Sequence, residues 1–303
     1  MSLRKALLVG INAYRSAPLR GCVNDVFQMK EVLQRYYGFT EADMRILLDR
    51  DATAAGIKAG LEWLAQDGDD ADAVRVFHYS GHGSFVADQN GDEPDGRDEC
   101  LVPYDYESVG MLTDDVLKTY YDRFPRTGNL TLVMDSCHSG TVNRVAELDI
   151  TFRFLPASLE ERKRAEAAAE RFAEEQEQYI AQTLLKLRGQ EISDDEFTKR
   201  VRQAMLRFQK RRFGDIRMRE ANVLLAGCQP DQQSADAYIG GDYHGAFTYY
   251  LVEAITQANG QLTYRQLAEQ VGAKLGAGRF AQVPQLEYRG RRDRQLAFQP
   301  FTT

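Results

Sequence analysis

Cysteine is sparse in this chain and never closely paired. Cys22, Cys100, Cys137 and Cys228 are scattered over 303 residues with no Cys-x-x-Cys among them. That argues against a structural zinc site and against a disulfide framework, so a reducing, cytoplasmic setting is expected. Long apolar runs are missing too: nothing approaches the roughly 18 residues of a membrane span. The opening Met1-Ser2-Leu3-Arg4-Lys5 leads into Ala6-Leu7-Leu8-Val9-Gly10, which is too short for a signal peptide and is followed by Asn12 and Arg15. It reads as a buried first strand. Nor is there a basic excess. A net charge of -7 and a pI near 5.3 argue against a nucleic-acid partner, and Asp215 and Glu220 dilute the basic run from Lys210 to Arg219.

What is present is alternation. Ala6–Ile11, Met44–Leu48, Ala73–Tyr79, Leu130–Asp135 and Ala221–Gly227 are short apolar strand candidates. Between and after them, Asn24–Tyr37, Thr53–Ala65, Thr113–Phe124, Gly245–Ala258 and Thr263–Leu275 carry helical spacing, with Thr53 placed to cap its helix. Strands alternating with helices predict an α/β fold: a mostly parallel sheet with helices on both faces, its chemistry at the carboxyl ends of the strands. At 43% hydrophobic residues the chain can bury a sizeable core.

One stretch breaks the alternation. From Pro156 to Arg212 the chain is highly charged and almost free of Gly and Pro. Ser158 with Glu161, and Ser193 with Glu196, have capping-box spacing. Phe172, Tyr179, Ile180, Leu184 and Leu187 form one apolar stripe; Phe197, Val201, Ala204, Met205 and Phe208 form another, with Gly189 between. The pattern predicts an inserted helical hairpin whose stripes must bury against something.

Two short segments carry candidate chemistry. Phe77-His78-Tyr79-Ser80-Gly81-His82-Gly83 and Met134-Asp135-Ser136-Cys137-His138-Ser139-Gly140 each follow an apolar run and end in small residues. His82 and Cys137 therefore fall just past two strand ends. A thiol attacks a carbonyl as thiolate, and a neighbouring imidazole can take its proton and then protonate the leaving amine. Gly83, and Ser139-Gly140 after Cys137, would let backbone N–H groups approach a developing oxyanion. The bland alternative is that His82 and Cys137 are separate packing residues.

These segments resemble the two catalytic signatures of the metacaspases and of their prokaryotic relatives, the orthocaspases. His82 and Cys137 stand 55 residues apart, close to the caspase-type separation of about 50. The resemblance extends over Leu7–Tyr14, Leu19–Asp25, Asp95–Glu99, Leu101–Asp105, Leu112–Asp115, Ala226–Asp236 and Gly245–Thr248. It implies a caspase-like three-layer sandwich on one chain. Residues 1–150 would be the large-subunit-like region, 151–220 the charged helical insertion and 221–303 the small-subunit-like region. The implied activity is that of a monomeric cysteine endopeptidase cutting proteins or peptides after Arg or Lys, with Cys137 as nucleophile, His82 as general acid/base and the backbone at Gly83 and Cys137 as oxyanion donors. Cys22, Asp25, Ser80 and Asp135 match positions lining the family's first specificity pocket, where carboxylates suit a cation and a guanidinium above all.

Many metacaspases use calcium, and Asp98, Asp114 and Asp115 match three positions of that acidic cluster. Arg144 stands about where a fourth Asp would be, so calcium-independent activity, with no cofactor, is expected. Self-processing in or near the insertion is expected as well, at Arg153 or in the Arg212 to Arg219 region, with Arg162-Lys163-Arg164 and Lys210-Arg211-Arg212 the densest basic runs. The rival reading is a non-catalytic caspase-like module whose hairpin binds a partner.

Overall fold

The computed structural model describes residues 2–68, 70–90, 93–137, 150–187, 193, 196–203, 222–229 and 232–301. In chain order the strands are β1 Arg4–Gly10, β2 Met44–Leu48, β3 Val74–Ser80, β4 Gly83–Ala87, β5 Arg97–Leu101, β6 Leu112–Thr113, β7 Asn129–Asp135, β8 Thr151–Phe152, β9 Asn222–Ala226, β10 Ala235–Ile239, β11 Asp242–Gly245 and β12 Gln285–Tyr288. The helices are α1 Cys22–Tyr37, α2 Ala54–Ala65, α3 Tyr106–Val109, α4 Asp114–Tyr121, α5 Leu159–Leu187, α6 over 196–203, α7 Ala246–Gln257 and α8 Tyr264–Ala277. They fall into two compact units. One comprises Met1–Ser84, Glu99–Pro156 and Met218–Thr303; the other comprises Phe85–Asp98 and Ala157–Arg217.

In the first unit a six-stranded sheet runs β12-β9-β7-β3-β1-β2. All neighbours pair in parallel except the edge strand β12, which is antiparallel to β9. Period-2 alternation sends side chains to two separate cores. Ala6 and Leu8 of β1, with Val74, Val76, Val133, Val223 and Leu225, pack with α1, α7 and α8. Leu7 and Val9, with Phe77, Tyr79, Leu132 and Met134, pack with α2 and α4. A sheet buried on both faces needs continuous apolar strands, which explains why β3 and β7 are buried at every position. This is the three-layer α/β sandwich expected. Thr53 caps α2 through Gly56 N–H, as predicted, and Thr113 and Thr263 cap α4 and α8 in the same way.

Several elements differ from the sequence reading. The β10–β11 hairpin, the edge strand β12 and the short β4, β5, β6 and β8 are additional, and α4 ends at Tyr121 rather than Phe124. In the second unit, α5 starts where the capping spacing predicts: Ser158 Oγ accepts Glu161 N–H at 3.1 Å. The Glu161 carboxylate, however, accepts Ala87 N–H at 2.9 Å instead of completing the box. Along the α5 stripe Phe172 and Leu187 are buried, Tyr179 and Ile180 half-buried and Leu184 exposed. Ser193 Oγ likewise accepts Glu196 N–H at the start of α6. Gly189, Ala204, Met205 and Phe208 of the expected hairpin lie outside the described residues.

Candidate active site

Parallel strands end together, and this sheet sets its chemistry at that edge. Ser80 closes β3 and Asp135 closes β7, and the two are register partners. The chain leaves β1 at Gly10 and returns as α1, whose first turn carries Cys22 and Asp25. Asn12 Oδ1 accepts Cys22 N–H at 2.8 Å, satisfying one of the orphan amides of that helix start. Cys22, Asp25, Ser80 and Asp135 are all fully buried.

They surround a side chain from the chain itself. The guanidinium of Arg153, also fully buried, sits among them. Its Nη2 lies 2.7 Å from Asp25 Oδ2 and 2.9 Å from Asp236 Oδ1, and its Nη1 lies 3.3 Å from Asp135 Oδ2. Nη1 also donates to Ser80 Oγ at 2.7 Å. Three carboxylates facing one cation would be costly if they depended on it alone, since buried charge needs every lone pair satisfied. Other donors supply the remainder. Gly245 N–H and Ser80 O–H donate to Asp25; Ser234 O–H and the N–H and O–H of Thr248 donate to Asp135; the Arg20 and Gly21 amides donate to Asp236. Burial pushes the Asp25 carboxyl up against the pull of Arg153. Burial would also depress the Arg153 guanidinium, but Asp135, Asp25 and Asp236 outweigh it and hold the charge firmly on. Gly245 is glycine because a Cβ there would stand 2.2 Å from Asp135 Oδ2 and 2.5 Å from Arg153 Nη1. Asp236 and Gly245 were not singled out in the sequence, although both fall within segments that carry the family resemblance.

The backbone around Arg153 is held as firmly as its side chain. Thr151 and Phe152 pair antiparallel with Asp236 and Ala235 of β10. Arg153 N–H donates to Ser234 O at 3.0 Å, and Leu155 N–H donates to Gly83 O at 2.9 Å. Arg153 C=O accepts two amides, Gly83 N–H at 2.9 Å and Cys137 N–H at 3.2 Å. These are the two amides named from the sequence as oxyanion donors, and they converge on a carbonyl. Gly83 allows the approach: a Cβ there would lie 2.0 Å from Cys137 O.

Cys137 is fully buried at the end of β7, its Sγ accepting from Ser234 N–H. Cys228, whose thiol is pushed up by a hydrogen bond with Cys137 and by burial, donates to Ser136 O. His82 lies beyond β3. Its Nε2 is 2.7 Å from Ala17 O, and a carbonyl can only accept, so Nε2 carries the proton and Nδ1 holds the free lone pair. Nδ1 is buried with no hydrogen-bond partner. Burial pulls the imidazole pKa down to about 4. Tyr14 braces the residue: its hydroxyl accepts His82 N–H at 3.1 Å and its ring lies 4.6 Å from the imidazole, while Tyr79 O–H donates to His82 O at 2.8 Å.

Of the residues matched to a calcium cluster, Asp98 is buried in β5, in the second unit, while Asp114 and Asp115 open α4 in the first. Arg144, the expected substitute for a fourth ligand, lies outside the described residues.

A sequence model of the family described as metacaspase, peptidase C14 domain, matches residues 4–146. Metacaspase-1B of Neosartorya fischeri is 33% identical over 300 residues, a match covering 93% of this chain and 68% of that protein. The chain belongs to the metacaspase family. Its activity, at that level, is that of a caspase-like cysteine peptidase acting on protein substrates. The fold of this metacaspase is shared with protein GSU0716 from Geobacter sulfurreducens, with a TM-score of 0.64 and 23% identity over 99% of this chain and 100% of that one. It is shared also with Caspase-1 from Spodoptera frugiperda, with a TM-score of 0.51 and 14% identity over 95% and 86% of the two chains. No helix among the described residues of this metacaspase is long and apolar enough to cross a membrane.

Proposed function

We propose that this metacaspase is an endopeptidase that cuts after Arg in preference to Lys, using Cys137 and His82, and that its first substrate is its own Arg153–Phe154 bond. The observation that carries the reading is the seating of Arg153. Its side chain fills the carboxylate pocket while its carbonyl accepts the Gly83 and Cys137 amides. A residue held in this way occupies the position of the one preceding a scissile bond. The fork supports Arg over Lys: Nη1 and Nη2 address different carboxylates at once, which a single ammonium matches less well.

In this reading the Cys137 thiol gives its proton to His82 Nδ1, the nitrogen left basic by the Nε2–H bond to Ala17. The thiolate adds to the Arg carbonyl, and the two amides stabilise the charge that builds on oxygen. Protonated His82 then delivers its proton to the leaving amine, and water hydrolyses the thioester. In the present state Sγ is engaged by Ser234 N–H and Nδ1 has no partner, so attack requires Sγ to leave Ser234 for the imidazole. The tethered segment also has to leave the pocket before another substrate can enter. Arg162 and Arg164, the other basic candidates in described structure, lie inside α5, where Arg164 pairs with Glu160 and Glu161; a helix is a poor substrate backbone. The chain acts without calcium in this reading, because Arg144 stands in the sequence about where a fourth acidic ligand would be.

Two measurements test these statements. Fluorogenic peptides ending in Arg, Lys or Asp are assayed with chelator or with calcium, using wild type and Cys137→Ala. Turnover of the Arg peptide in chelator, lost in the variant, is expected; turnover only with calcium, or preference for Asp, would sink it. In parallel, intact mass and amino-terminal sequencing of purified wild type should reveal a new terminus Phe154-Leu155-Pro156, absent from Cys137→Ala. A new terminus elsewhere would reassign the self-cleavage site.

A further inference from the structure

Arg153 divides its segment into unequal halves. On the amino side, Thr151 and Phe152 are half-exposed and are held by strand pairing with β10, a contact indifferent to side-chain type. On the carboxyl side, Phe154 and Leu155 are each only 8% exposed. Phe154 forms a parallel bridge with Gly83, Leu155 N–H donates to Gly83 O at 2.9 Å, and the buried Ser84 O–H donates to Leu155 O at 2.7 Å. Leu155 also joins the apolar cluster that contains Tyr14, Tyr79, Leu101 and Val102. Thus the residues just after Arg153 have their backbone fixed at two atoms, the N–H and C=O of Leu155, and their side chains removed from water.

We propose that the start of β4, Gly83-Ser84, together with the apolar wall behind it, forms a leaving-group-side subsite that selects an aromatic residue followed by an aliphatic one after the scissile Arg. The inference rests on Arg153 occupying the site as a substrate does. Arg alone defines a very common sequence, whereas Arg-aromatic-aliphatic is rare, so the site confines cutting to few bonds in a protein. Because these contacts lie beyond the scissile bond, they are made only by substrates that extend past it. Reporters with a dye directly after Arg bypass them altogether. Burial of the two side chains favours every complex up to release of the amine product, so selection appears in kcat/KM.

Internally quenched peptides test this with the full-length protein: Thr-Phe-Arg-Phe-Leu-Pro, Thr-Phe-Arg-Gly-Gly-Pro, Gly-Gly-Arg-Phe-Leu-Pro, and an ester analogue of the first that lacks the amide N–H corresponding to Leu155. A dye-amide Arg reporter runs beside them. Any tethered segment still occupying the site lowers all rates together and leaves their ratios intact. Replacing Phe-Leu by Gly-Gly should lower kcat/KM at least tenfold, more than replacing Thr-Phe does, and the ester should lose several-fold. Ser84→Ala should compress the Phe-Leu over Gly-Gly ratio several-fold. If the reporter is turned over but the peptides are cut at rates within twofold of one another, the subsite is refuted while the Arg-specific peptidase stands. If neither reporter nor peptides are cut, the peptidase reading fails and the subsite with it.

Discussion

Asp236 shows how much a single residue contributes without announcing itself in the chain. Its two oxygens take the Arg20 and Gly21 amides while Oδ1 also meets Arg153 Nη2 at 2.9 Å, so one carboxylate ties the loop before α1 to the pocket and to the bound cation. Asp25 and Asp135 were legible because each lies in a short segment that carries the family resemblance, Asp25 closing Leu19–Asp25 and Asp135 just before Cys137. Asp236 lies about a hundred residues beyond Cys137 in a hairpin not recognised from the sequence. Asp236→Asn should lower kcat/KM on an Arg peptide by roughly a hundredfold, since removing one member of a buried, hydrogen-bonded charge pair costs about 2–5 kcal/mol. Kinetics on Arg and Lys peptides, with circular dichroism to verify folding, checks this; an unchanged Arg rate would remove Asp236 from the pocket.

At the scale of elements, the site depends on where strands stop. β3 and β7 end in register, and the next residues leave the ladder, which releases the amides of Gly83 and Cys137 for the Arg153 carbonyl. Gly83→Ala would put a methyl group into Cys137 O, so the two chains would have to separate and both amides would move. Loss of one such donor is commonly worth 10²–10³ in kcat. The expected result is loss of the Phe154 terminus by mass spectrometry together with at least a hundredfold slower peptide turnover; near-normal processing would contradict the assigned role. Helices α2, α4 and α8 were legible because apolar periodicity and Thr caps agree, and α1 from its periodicity alone. The β10–β11 hairpin turns at Gly240-Gly241, a two-residue hairpin signature, but its flanks Ala235–Ile239 and Asp242–Gly245 carry too few apolar residues to mark strands. β8, at two residues, is too short to be read from a pattern and is defined by the pairing of Phe152 and Thr151 with β10, next to the seated Arg153.

For the molecule as a whole, the unit that carries the site buries two neutral imidazoles. Burial lowers His82 to about 4 and His78 to about 3, the latter next to Thr248 Oγ1. The unfolded chain would take protons on both below about 6.5, while the folded state takes them only near those lower values. Stability is therefore full above about pH 6.5 and declines as the pH falls towards 4. At pH 4.5 each histidine should cost roughly 2–3 kcal/mol. Asp25 acts in the opposite sense, its raised carboxyl gaining a proton more readily in the fold. The Tm of Cys137→Ala should drop by roughly 5–10 °C between pH 7.5 and 4.5. A Tm that holds or rises would show that the two imidazoles are not buried neutral.

The sequence by itself determined the layered α/β fold, the family, and the placement of a histidine and a cysteine just past two strand ends, because periodicity and short motifs are local and survive in one dimension. It also named four of the residues around the pocket. Only the tertiary structure decided what fills that pocket. Asp25, Ser80, Asp135 and Asp236 come from four separate segments, and Arg153 from a fifth. The sequence offers Arg153 as one of several basic candidates in and around the insertion, and nothing in its spacing selects it over the Arg212 to Arg219 region. That choice depends on the parallel strands ending at a common edge, where buried carboxylates require a cation and the Thr151 to Leu155 segment, held by β10 and Gly83, supplies one.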